Sequence, residues 1–177
     1  MGAEVTLVSG PSRLIPPSGV RFVPVESTQQ MHDAVMEAFT EADCLVMAAA
    51  PADYTPEHVH DKKIKKSGQK MQLELQPTVD ILKAVADRRR KRQVVVGFAL
   101  ETNDGPVNAR KKLRDKKLDV IILNIPVAGE SGFEADTNRV TIIPRMGKAE
   151  EIPLAPKTEL AFTILERVIV PLIESKD

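Results

Sequence analysis

Two runs, VVVGFAL (residues 94–100) and DVIILNI (119–125), are apolar at nearly every position, and a single short segment separates them. Strands of this kind need both faces covered, as happens inside a parallel sheet flanked by helices. The stretch between them, about 106–117, reads as a helix with Pro106 in its first turn, where a missing N–H costs nothing. Strand, helix and strand in that order make a right-handed crossover unit. The pattern extends in both directions. EVTLVSG (4–10) reads as a buried strand, VRFVPV (20–25) as a second and CLVMAAA (44–50) as a third. Ser27 and Gln30 suit a capping box, followed by a helical face of Met31, Ala34, Val35, Ala38 and Phe39. MQLEL (71–75) alternates like a half-exposed strand, and 78–89 reads as a helix. RVTIIPR (139–145) can pair with EIPL as a hairpin, and the last helix, 157–174, places Leu160, Ala161, Ile164, Leu165, Val168 and Leu172 on one face. The expected class is α/β: a Rossmann-like, mainly parallel sheet flanked by helices, with an added antiparallel portion. Residues 51–70 show no apolar period, so 51–76 is expected to form a protruding flap or arm that could pair with a second subunit. No linker divides the chain, and 1–177 is expected to be a single domain.

Composition removes several function classes. Formal net charge is zero, so no global pull draws the chain to nucleic acid or an anionic membrane. Aromatic residues are 3%, with no Trp, too few for platforms that stack single-stranded bases. One cysteine, Cys44, lies in an apolar run and reads as a buried structural thiol rather than a nucleophile. No apolar run approaches the roughly 18 residues of a membrane span. The start, MGAEVTLVSG, is acidic and lacks the basic, apolar plan of a secretory signal. A cytoplasmic protein is expected.

Ligands of doubly wound sheets bind beyond the carboxyl ends of the strands. Three expected strand ends carry polar residues there: Asp53-Tyr54, Glu101-Thr102-Asn103 and Asn124. DKKIKK (61–66) sets four lysines in six residues, ammonium groups able to close over a polyphosphate or simply a solvated charge run. Lys112 and Lys116 are four apart on a helical face and could reach a phosphate. RRRKR (88–92) reads as a solvated, dipole-compensating helix end. HVHD (58–61) hints at a metal, yet no companion Cys or His cluster supports it, and no metal site is expected. Neither a Walker A loop nor a G-x-G-x-x-G fingerprint is present.

In order, GAEVTLVSGP, AAAPADYTP, KKIKK, TVDIL, VGFALET, NARKKL, LDVIILN and GFEADTNRVTII resemble the phosphopantothenoylcysteine synthetase (phosphopantothenate–cysteine ligase) family over essentially the whole chain. That domain is usually the C-terminal half of a bifunctional coenzyme A biosynthesis flavoprotein, beside a flavin-dependent decarboxylase. The resemblance implies a CTP-dependent ligase with Mg²⁺. The 4′-phosphopantothenate carboxylate attacks the α-phosphate of CTP, giving an acyl-cytidylate and pyrophosphate; the amine of cysteine then displaces CMP. It implies Ala49 and Ala50 as small residues where the nucleotide approaches, and Asp53 as acceptor of the cytosine amine. It implies Lys63 as the catalytic flap lysine, and Thr78, Val79, Asp80 and Ile81 as a helix-start segment near the nucleotide. Phe98 would pack on the nucleotide, Lys112 and Lys116 would contact phosphate, and Asn124 would be a possible substrate contact. A homodimer is implied as well. Two departures stand out. Pro51 replaces a small apolar residue, and the family's first strand-loop-helix unit is missing before GAEVTLVSG. An incomplete site of this kind leaves a second reading open, a non-catalytic or split nucleotide-binding fragment that needs a partner segment. A nicotinamide-dependent oxidoreductase is the third, disfavoured by the absent glycine fingerprint.

Overall fold

The computed structural model describes residues 2–60, 62–66, 68, 70–101, 104–124 and 135–176. The chain forms two compact units that alternate along the sequence. The first holds Met1–Val35 and Ala50–Ile81, the second Met36–Ala49 and Leu82–Asp177.

The second unit carries the sheet that the apolar runs require. Its five strands are β3 (Cys44–Met47), β6 (Val94–Leu100), β7 (Val120–Asn124), β8 (Thr137–Pro144) and β9 (Glu150–Pro156), in that spatial order. The first three are parallel, and β8 and β9 add an antiparallel hairpin. Helix α3 (Gly105–Asp115) makes the crossover from β6 to β7. Alternate residues divide between the faces. Val94, Val96, Val120, Ile122, Val140 and Ile142 pack with Leu160, Ile164 and Ile169 of the C-terminal helical segment. On the opposite face, a Cβ built on Gly97 would meet Leu118 and Leu82, and one on Gly105 would meet Leu123, so this side is packed too.

The C-terminal segment is not one regular helix. α4 (Lys157–Ile164) passes into a π-helical turn, Leu165–Ile169, and then into α5 (Val170–Glu174). Pro171 lacks an N–H for the carbonyl four residues back and its ring crowds that carbonyl; a wide turn just before it relieves both. The extra residue rotates the apolar stripe. Ile169, at the end of the turn, is buried at 5% exposure; Ala161, expected on the inner face, is exposed, but it lies ahead of the turn in α4, whose inward residues are Leu160 and Ile164.

At the amino edge of the parallel strands, Asp119 gathers charge. Its carboxylate accepts from Arg89 Nη2, from the Val95 N–H at 2.8 Å and from Lys176 Nζ at 2.9 Å. Arg89 also reaches the carbonyls of Gln93 and Lys117. The run 88–92 is therefore not wholly a solvated helix end: Arg89 is drawn inward by a partner that is itself largely shielded from solvent. Burial, the largest single influence, pushes the Asp119 carboxyl up, but the hydrogen bonds from Arg89, Val95 and Lys176 together hold it below the usual carboxylate value.

The first unit has two small sheets. β1 (Thr6–Ser9) and β2 (Arg21–Pro24) pair in parallel. The expectation of a buried first strand is corrected: β1 has one strand neighbour among the described residues, and Val5 and Phe22 remain exposed. Two strands cannot cover both faces of each other. β4 (Tyr54–Pro56) and β5 (Leu75–Pro77) pair antiparallel, inside and just after segments expected as loop and as the strand 71–75. Helix α1 (Thr28–Phe39) opens with the anticipated box: the Gln30 N–H donates to Ser27 Oγ at 3.2 Å, and Gln30 Oε1 accepts from the Ser27 N–H at 3.1 Å. It runs from the first unit into the second, as does α2 (Ile81–Arg88).

Candidate functional site

The polar residues expected at strand ends fall in both units. In the first, the chain leaving the alanine run is pinned at Ala52 and Asp53. The Ala52 carbonyl accepts from Thr78 Oγ1 at 2.6 Å and from Thr28 Oγ1 at 3.4 Å, and the Asp53 carbonyl accepts from the Thr78 N–H at 2.9 Å. This clasp fixes the backbone at the start of β4 and leaves the Asp53 carboxylate exposed. It also brings Asp53 and Thr78, both singled out from the sequence, together. Val79 and Asp80 follow before α2 begins at Ile81. The Ile81 side chain is 3% exposed, so that residue has only its backbone to offer a ligand. Lys62, Lys63, Lys65 and Lys66 are exposed and lie outside any helix or strand.

In the second unit β3 stops at Met47, and Ala49 is exposed beyond it; Ala50, the next residue, is exposed in the first unit. β6 and β7 end side by side, with Leu100 opposite Asn124 and the Glu101 N–H donating to the Asn124 carbonyl at 3.2 Å. Paired residues of a parallel ladder share a face, so Phe98, Leu100 and Asn124 project together. The C-terminal helix covers Val96 on that face but not these residues: Phe98 is 36% exposed, Leu100 41% and Val46 of β3 43%. An apolar ledge is thus left open at the carboxyl end of the sheet. Beside it the Asn124 side-chain oxygen is buried and has no hydrogen-bond partner among the described residues. A buried acceptor without a donor is costly, and a ligand N–H or O–H would satisfy it.

The other face of the same edge is polar. Glu101, 15% exposed in its side chain, accepts from Lys112 Nζ at 2.6 Å and from Asn108 Nδ2 at 3.4 Å. Asn108 and Lys112 are one helical turn apart on α3. Lys116 is the C-cap of α3, and its N–H still donates to the Lys112 carbonyl at 3.0 Å, so the last helical turn carries both lysines. Asn108 went unnoticed in the sequence. Its signal was the four-residue spacing to Lys112, readable only once Glu101 is placed opposite. Thr102 and Asn103 lie outside the described residues.

Cys44 is half-buried, and burial first, then the Asp119 carboxylate, push its thiol up to about 11. It is a protonated packing group at neutral pH, not a nucleophile. Among the described residues no helix is long and apolar enough to cross a membrane.

Residues 1–172 match the model of the DNA/pantothenate metabolism flavoprotein C-terminal domain. The coenzyme A biosynthesis bifunctional protein CoaBC of Bacillus subtilis (strain 168) is 44% identical over 169 residues, 95% of this chain and 41% of that protein. The chain thus spans about two fifths of the length of the curated relatives it matches. Among solved structures, the C-terminal domain of a CoaBC protein superposes with a TM-score of 0.80 at 39% identity, covering 98% of this chain and 76% of that one. A Cab2 mutant in complex with phosphopantothenate-cysteine shares the fold at a TM-score of 0.70 and 16% identity, over 88% of this chain and 54% of that one.

Proposed function

The chain belongs to the DNA/pantothenate metabolism flavoprotein C-terminal domain family, and from that membership we propose that it carries out the ligase step of coenzyme A biosynthesis, joining 4′-phosphopantothenate to cysteine. CTP, taken as its Mg²⁺ complex, is the energy source. The phosphopantothenate carboxylate oxygen bonds to the α-phosphorus and pyrophosphate leaves. The cysteine amine then bonds to the acyl carbon, loses a proton, and CMP departs with the bonding electrons. No enzyme nucleophile is needed. The protein's work is to hold the reactants in line, offset phosphate charge and exclude water from the mixed anhydride.

The observation that carries this reading is the open carboxyl edge of β6 and β7. It combines an apolar ledge at Phe98, a buried acceptor at Asn124 with no donor, and an ammonium group at Lys112 beside Glu101. Phe98 offers a flat surface to the nucleotide. Asn124 accepts from a polar group of the substrate, and Lys112, with two further N–H donors, can share itself with a phosphate. Asp53, on its clasped backbone, accepts the cytosine amine, while Ala49 and Ala50 leave room for the nucleotide. Lys63 neutralises the leaving pyrophosphate, with Lys116 a further cation and Thr78 to Ile81 supplying the segment beside it. Working partners are a second copy of the chain and the flavin-dependent decarboxylase of the bifunctional relatives, and the setting is the cytoplasm.

Calorimetric titration of the chain with CTP, ATP and NAD, followed by pyrophosphate release with phosphopantothenate and cysteine, tests the proposal. Preferred binding of CTP, lost in Asp53→Ala, is expected, together with turnover lost in Lys63→Ala while binding survives. Binding of NAD in place of CTP would sink the ligase reading. CTP binding without turnover would leave a nucleotide-binding segment that depends on a partner.

A further inference from the structure

We infer that Glu57, His58 and Glu74 form a binding site for a divalent transition-metal ion of the zinc class, and that the ion ties together the two ends of the segment bearing the 62–66 lysines. The β4–β5 ladder ends at the pair Pro56 and Leu75. The next residues, Glu57 and Glu74, still face each other, with the Glu57 N–H donating to the Glu74 carbonyl at 3.0 Å. Carboxylates directly opposite in an antiparallel pair repel. A cation bound between them would offset that repulsion. In a straight strand His58 would point to the face away from Glu57. The chain bends at 57–58 instead. One side-chain ligand atom from each of Glu57, His58 and Glu74 then lies within 4.8 Å of the others.

That spacing suits a shared ion. Metal bonds to imidazole nitrogen and carboxylate oxygen are about 2.0–2.2 Å, so two ligands of a tetrahedral ion stand about 3.4 Å apart. Small rotations of exposed side chains bring the three donors to that distance. One nitrogen and two oxygens favour zinc over magnesium, which prefers oxygen alone and keeps its waters. Exposure of all three residues gives the ion an entry path and leaves room for water as a fourth ligand. The bound ion would join residues on either side of the segment that carries Lys62, Lys63, Lys65 and Lys66. The β4–β5 ladder and the Glu57–Glu74 hydrogen bond already close this segment, and the ion would hold that closure against fraying at the end of the ladder.

Calorimetry of the whole chain with ZnCl₂ and visible absorption with CoCl₂ test the site. One equivalent of Zn²⁺ is expected to bind, with a Co²⁺ band in the visible and no displacement by excess Mg²⁺. Glu74→Gln and His58→Ala should each weaken binding by about tenfold or more, and His60→Ala should leave it unchanged. Circular dichroism should show all three variants folded, since the positions are exposed. Tryptic cleavage after the 62–66 lysines, read by mass spectrometry, should slow with Zn²⁺ in the parent chain and not in Glu74→Gln. Absence of Zn²⁺ binding, or equal weakening by His60→Ala, overturns the site; binding without protection of those lysines overturns the tie.

Discussion

A Cβ on Gly97 would stand 2.7 Å from Leu118 Cδ1 and 3.6 Å from Leu82 Cδ1. Leu118 is 1% exposed, so its methyl group has nowhere open to move. Gly97→Ala should destabilise the chain by about 1–3 kcal/mol, the usual cost of overpacking, measured by urea unfolding. A gain in stability would show the packing to be looser than drawn. Asp119 makes a second case. Its carboxyl titrates below the unfolded value in the folded chain. The stability it contributes is complete above the unfolded pKa of about 3.9 and is lost as pH falls through the folded pKa. Asp119→Asn should therefore cost about 2–4 kcal/mol at neutral pH, by leaving Arg89 and Lys176 without their charge partner, and should flatten the acid limb of the stability curve. Little of this could be read from sequence. Asp119 looked like the first residue of a strand, and its partners Arg89 and Lys176 are 30 and 57 residues away.

Elements whose packing is written along their own length were legible. VVVGFAL became β6 without a shifted boundary, and DVIILNI became β7 with one residue trimmed from its start. Continuous apolar runs admit few alternatives. β4 and β5 were missed or displaced because Tyr54-Thr55-Pro56 and Leu75-Gln76-Pro77 are exposed, contain proline and take their order from each other and from the clasp at Thr78. The ligand edge was half legible. Phe98 and Asn124 could be placed by counting along strands, but the ion pair of Glu101 with Lys112 depends on how α3 crosses the end of β6. Pro171 signals an irregularity in this helix, but a widened turn at Leu165–Ile169 is one of several ways to meet it until the inner face is known. The π turn makes a direct prediction. A regular helix continuing Leu160 and Ile164 would turn Val168 inward; the widened turn buries Ile169. Ile169→Ala should cost about 2–4 kcal/mol and Val168→Ala clearly less, by thermal or urea unfolding. The reverse order would restore the regular helix.

At the scale of the molecule, local stability should be uneven. The second unit holds the fully buried strand residues Val94–Val96, Val120–Leu123 and Ile143, whereas the first relies on two-stranded sheets with exposed side chains. Amide hydrogen exchange follows local burial and hydrogen bonding. The amides of β6 and β7 should be the last to exchange and those of β4 and β5 among the first; uniform protection would contradict this. The alternation of the two units along the chain also explains why single elements were easier to read than their grouping. Residues 35 and 36 are neighbours in one helix yet belong to different units. β9 has one further consequence. It is the last strand of its sheet among the described residues, and it carries Glu150, Glu151, Pro153 and Pro156. Two of its seven residues have no N–H to offer and two bring negative charge, the pattern that discourages a strand of another molecule from adding to an edge. On that side the folded sheet offers a poor template for fibre growth.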